Sequence, residues 1–150
     1  VVEGADPSSI RAGARAALTR LAALDAEYRA GLERCDRRVL VTAHDAFGRL
    51  GARYDLRVES IAGISPEEEP EPRRLARLAR LVREEGITTV FTEELVSPQV
   101  AEVLARDAGV RTDVLSPIES LTPAQRRAGD DYVSLMRRNL DRIRTALGCD

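Results

Sequence analysis

One histidine stands among 150 residues, and it sits where a strand should end. The run Val39-Leu40-Val41-Thr42-Ala43 is apolar and β-branched, and His44-Asp45 follow it directly. A short amphipathic segment then begins with Asp45 and carries Phe47, Leu50 and Tyr54 on one helical face. Open α/β sheets place ligands at such strand ends. An imidazole here could bind a metal through one ring nitrogen while Asp45 or a backbone carbonyl holds the other. It could equally be a structural residue hydrogen-bonded at the rim of the sheet. A tight zinc site wants about four donors from His, Cys or carboxylate, so His44 cannot make one alone.

Two further strand ends bear on the same chemistry. Glu93-Glu94 close the β-branched run Ile87 to Thr92. If the strands are parallel, these carboxylates share an edge with His44. Each could be a weak ligand, could accept a hydrogen bond from a ligand, or could interact with the helix amides after Ser97. Ser116-Pro117-Ile118-Glu119 ends the last strand with a hydroxyl, a poor zinc donor beside a carboxylate. Glu119 could fold back, with a loop cap as its plainer role.

Other chemistries are thin. Ser97 and Ser116 lack a base and a nucleophile-elbow sequence. Gly48 and Gly51 are too sparse for a phosphate loop, and the acidic cluster Glu67 to Glu71 reads as a solvated loop. The chain is therefore expected not to be an enzyme. A net charge of −2, with only five aromatic residues, argues against nucleic acid, which needs a concentrated positive field or stacking platforms. All 23 basic residues are arginine, a bias of composition rather than a local device. No apolar run approaches the roughly 18 residues of a membrane span. The start, Val1-Val2-Glu3-Gly4, has neither an initiator methionine nor an export segment, so a processed or excised piece is expected. Cys35 and Cys149 match no local zinc or thioredoxin-type motif. They are either two reduced thiols or one disulfide pinning the C-terminal end to the start of the first strand.

These residues need a scaffold, and the hydropathy pattern supplies one. Asp6-Pro7-Ser8-Ser9 is a helix start, and Ile10, Ala14, Leu18, Leu21, Leu24 and Tyr28 recur at spacings of three and four. A helix over 8–33 would span about 38 Å, long enough to brace more than this domain. Strands follow at 39–43, 56–61, 87–92 and 110–115. Helices are expected at 45–54, at 73–85 and from Ser97-Pro98 to Ala108, with a last one from Gly129 to Leu147 carrying Tyr132 inward. Residues 62–72, with three prolines and four glutamates, and 116–128 read as irregular. The order predicts an α/β fold, a four-stranded mainly parallel sheet with helices on both faces.

Taken together, several motifs resemble one family. Val41-Thr42-Ala43-His44-Asp45-Ala46-Phe47-Gly48-Arg49-Leu50 is similar to the histidine-bearing strand of the metal-binding lipoproteins that serve ABC importers of zinc and manganese. Ile61-Ala62-Gly63-Ile64-Ser65-Pro66 with Glu69-Pro70, Val90-Phe91-Thr92-Glu93-Glu94, and Asp131-Tyr132 with Leu135-Met136-Arg137-Arg138-Asn139-Leu140 extend the match. The likeness covers the whole chain but only the second half of such a protein. It implies two α/β lobes joined by one long helix, with the ion in the cleft between them. Residues 1–34 then resemble part of the inter-lobe helix and 35–150 the C-terminal lobe. His44 is implied as a ligand for Zn2+, or less favourably Mn2+, and Glu93 as its support. The family's aspartate would fall at Ser116. The implied partners are the missing N-terminal lobe and the importer's membrane permease, and the implied location is extracytoplasmic, at the cell surface or in the periplasm. An oxidising location favours the disulfide. The serine at 116 leaves open a degenerate relative that keeps the lobe as an interaction or structural module.

Overall fold

A computed structural model describes residues 6–65, 70–94 and 97–150. Residues 66–69 of the acidic, proline-rich stretch lie outside the described residues. The chain opens with α1 (Pro7–Gly31), where the Asp6 side chain accepts hydrogen bonds from the amides of Ser8 and Ser9 and Pro7 occupies the first turn. Four strands follow, β1 (Val39–Thr42), β2 (Arg57–Ser60), β3 (Thr89–Thr92) and β4 (Arg111–Val114). They are interleaved with α2 (Gly48–Tyr54), α3 (Pro72–Glu84) and α4 (Gln99–Ala108), and the chain ends with α5 (Pro123–Ala128) and α6 (Tyr132–Leu147).

The sheet is parallel throughout, in the order β2-β1-β3-β4. Side chains alternate along each strand, and the two faces bury different sets. Leu40 and Phe91 join Leu24 and Tyr28 of α1 and Leu140, Ile143 and Leu147 of α6 on one face. Val39, Val41 and Val90 join Leu78 and Val82 of α3 and Leu104 of α4 on the other. Both faces being covered explains why β1 and β3 read as continuous apolar runs.

Long α1 is only half embedded. Leu24 and Tyr28 are buried, and the Tyr28 hydroxyl donates to the Met136 carbonyl on α6 at 2.7 Å. Glu27 meets Arg137 through two bonds at 2.7 and 2.8 Å, and Arg20 meets Asp131. Ahead of these anchors the helix is bare, with Ile10 and Leu18 exposed (Leu18 at 65%). Just before β1, Cys35 and Cys149 form a disulfide. The two chain segments run antiparallel there, with the Asp36 amide donating to Gly148 O and the Asp150 amide to Arg34 O. Gly148 closes α6 in the left-handed region at φ 68°, where a side chain would be strained.

Four expectations need correction. Residues 45–47 are a turn rather than the start of α2, because the Asp45 amide is taken by Gly63 O at 2.9 Å and the Ala46 amide by His44 O. α4 begins at Gln99 rather than at Ser97-Pro98, which puts the cap on Pro98, a residue with no side-chain acceptor. The stretch 116–128 is not wholly irregular, since Thr122 and Gln125 form a reciprocal capping box that starts α5. α6 begins at Tyr132 under a second box of Asp131 and Ser134, and Tyr132 is half exposed instead of inward.

Candidate metal site at the carboxyl edge of the sheet

The chain leaves β1 toward β2 on one side and enters β3 on the other, so the strand order reverses between β1 and β3. Such a switch point opens a crevice beyond the strands' carboxyl ends. His44 follows β1 and Glu93 follows β3, one on each side of it. A tight turn sets the histidine: Thr42 Oγ1 donates to His44 O at 2.9 Å, which fixes the backbone just as it leaves the sheet. The His44 and Glu93 side chains are almost wholly buried (residue exposures 4% and 6%), and Nδ1 lies 2.5 Å from Glu93 Oε1.

That pairing decides the chemistry of the ring. A carboxylate accepts, so Nδ1 carries a proton, and in the neutral ring the lone pair then lies on Nε2. Among the described residues Nε2 has no hydrogen-bond partner, which leaves it available to a Lewis acid. Burial pushes the Glu93 carboxyl above the ordinary carboxylate range, the hydrogen bond from His44 pulls it back, and the charge of Glu119 raises it further. Glu93, not Asp45, holds the second ring nitrogen.

A third segment reaches this edge from β4. Ser116 is buried, and its backbone is gripped by Asn139 of α6: Asn139 Oδ1 accepts from Ser116 N at 3.0 Å and Nδ2 donates to Ser116 O at 2.7 Å. The Ser116 hydroxyl donates to Glu94 Oε2 at 2.7 Å and accepts from Ile118 N at 3.3 Å. Ile118 then turns the chain at φ 60°, a conformation a β-branched residue adopts only under constraint. The next residue, Glu119, is exposed and borders the same small hollow as Glu93 and Ser116. The structure thus brings together His44 with Glu93, and Ser116 with Glu94, while Glu94 faces away from the imidazole toward the β4–α5 loop. Among the described residues no group of three or more His, Cys, Asp or Glu is arranged to hold an ion, and no helix is long and apolar enough to cross a membrane.

Sequence reasoning gave Glu119 a fold-back or a loop-cap role and did not place it beside Glu93 and Ser116, whose hollow it borders. Asn139 was missed too, although it falls on the inward stripe of α6 with Leu135, Leu140 and Ile143, where a buried amide must find partners.

The arrangement is that of a doubly wound α/β lobe with an imidazole–carboxylate pair at its switch point. A model of the family described as zinc-uptake complex component A, periplasmic, matches residues 2–146, and the chain belongs to that family. It is 40% identical over 136 residues to the zinc-binding protein AdcA of Streptococcus pyogenes, covering 91% of this chain and 26% of that protein. Among solved structures, the laminin-binding protein Lbp of S. pyogenes superposes with a TM-score of 0.81 at 32% identity, over 89% of this chain and 51% of that one. The Zn(II)-bound ZnuA-like domain of Streptococcus pneumoniae AdcA gives 0.76 at 37% identity, over 93% and 52%. The chain therefore spans about a quarter of that AdcA protein and about half of each solved chain.

Proposed function

We propose that this chain is the C-terminal lobe of a receptor that captures zinc outside the cytoplasm and hands it to the membrane permease of an ABC importer. Residues 1–34 belong to the connection between two lobes, whose helical part is α1 (Pro7–Gly31), and 35–150 to the lobe itself. His44 Nε2 and the Glu119 carboxylate are this lobe's ligands, and the remaining donors come from an N-terminal lobe across the cleft. No chemistry is catalysed; the ion is cargo. The observation that carries the reading is the His44–Glu93 pair, which fixes the tautomer and ring orientation as metal-bound histidines require. An imidazole suits zinc better than manganese, which favours harder oxygen donors.

Two features support the rest. The bare half of α1 is a helix built to be covered by more protein than this chain contains. The alternative, a relative that kept the lobe but lost ion capture, stood on Ser116 occupying the place of a ligand carboxylate; Glu119 on the same loop supplies that carboxylate instead. Competition titration with a chromogenic chelator tests the reading on the full-length receptor. His44→Ala is expected to weaken zinc binding at least about 100-fold, beyond what loss of an outer partner costs. Unchanged affinity would remove His44 from the site.

A further inference from the structure

We propose that Glu94 is the positioning residue for the ion-binding loop, tying its two ends together so that Glu119 is held at the edge of the sheet. The inference rests on the reading of Glu119 as a ligand. Each carboxylate oxygen of Glu94 takes one bond from one end of the loop: Oε2 from the Ser116 hydroxyl at 2.7 Å, and Oε1 from Gln125 Nε2 at 2.6 Å. Gln125 is itself fixed, since its Oε1 accepts from the Thr122 amide at 2.8 Å and it stands at the start of α5. Ser116 is fixed through Asn139. The intervening residues 117–124 are thus a short span stapled at both ends by a single anion. Bonds to a charged acceptor are about twice as strong as neutral ones, and Arg138 lies close enough to sense the Glu94 charge.

The two adjacent glutamates divide the work by direction. Glu93 turns inward and orients the imidazole from β1; Glu94 turns outward and holds the loop from β4. A displacement of β3's end would therefore move both proposed ligands together, so their relative placement is set by one dipeptide. The charge matters as well as the shape, because two donors converge on two oxygens and a neutral amide can accept at only one.

The test uses the full-length receptor with zinc as the probe, again by chelator competition. Glu94→Ala is expected to weaken zinc about tenfold, the lower end for residues that orient a ligand, and Glu94→Gln less. If Glu94 acts through Glu119, adding Glu94→Ala to Glu119→Gln leaves the affinity of the single Glu119→Gln variant unchanged. Wild-type affinity in Glu94→Ala, or a full further loss on top of Glu119→Gln, would overturn the positioning role. Wild-type affinity in Glu119→Gln would instead overturn the ligand reading. Should Glu119→Gln bind too weakly for the cycle, amide exchange at 118–122 decides: it is expected to quicken in Glu94→Ala, and unchanged exchange overturns the proposal.

Discussion

A single imidazole gains its chemistry from one neighbour. Because Glu93 accepts a hydrogen bond from Nδ1, the neutral His44 ring presents its lone pair at Nε2. Glu93→Gln keeps the shape but removes the anionic acceptor, so zinc affinity of the full-length receptor should fall about 10–100-fold. A chelator competition that returned wild-type affinity would show that the pair is structural only. Asn139 makes a different residue-scale claim. Its amide satisfies both backbone groups of Ser116, and it is itself 1% exposed. Asn139→Ala leaves a buried N–H and C=O without partners, which should cost about 2–4 kcal/mol in urea unfolding. His44 was legible in the sequence because it is the only histidine and ends a β-branched run. The pairings of Ser116 were not, since they join residues 22 and 23 positions apart whose types alone do not name a partner.

The elements show why reading order succeeded and reading ends did not. Apolar runs located β1 and β3, which are buried on both faces, and apolar stripes the long helices; the edge strands β2 and β4 are more polar and more exposed. Helix starts are decided by individual hydrogen bonds. Residues 116–128 read as irregular, yet Thr122 and Gln125 make Pro123 the first residue of α5; the box was present in the sequence. α1 carries a cluster that the pattern did not disclose. Asp25 accepts from Arg53 at 2.7 and 2.8 Å, from Arg29 at 3.1 Å and from the Tyr54 hydroxyl at 3.0 Å. The bond from Arg53 holds the Asp25 carboxyl well below its usual value of 3.8; burial opposes this, and Arg29 and Tyr54 assist. Since the folded group is the stronger acid, its contribution is present above about pH 4 and is lost as pH falls below it. Thermal melts of Asp25→Asn should show lower stability than wild type at pH 6, with the gap narrowing toward pH 2. A gap that stayed constant would mean the carboxylate's charge is irrelevant there.

At the scale of the whole molecule, two features stand out: the disulfide that ties Cys149 to Cys35, and the exposed half of α1. Sequence separation alone left Cys35 and Cys149 as thiols or a bridge; the fold brings them together because the end of α6 returns to the start of β1. A cross-link over a separation of 114 residues restricts the unfolded chain strongly. The Cys35→Ser/Cys149→Ser pair should lose about 2–5 kcal/mol in chemical denaturation, and no loss would show that the antiparallel contact suffices. The exposed amino-terminal half of α1 should exchange its amides fast in this chain alone and slowly in the full-length receptor. The central claim, that His44 Nε2 faces a zinc ion shared with a second lobe, is tested most directly by anomalous diffraction at the zinc edge from zinc-loaded full-length receptor. An ion about 2.0–2.1 Å from His44 Nε2 is expected, with Nδ1 still on Glu93 and the Glu119 carboxylate in the coordination sphere. Zinc bound elsewhere, with Nε2 of His44 unligated, would contradict it.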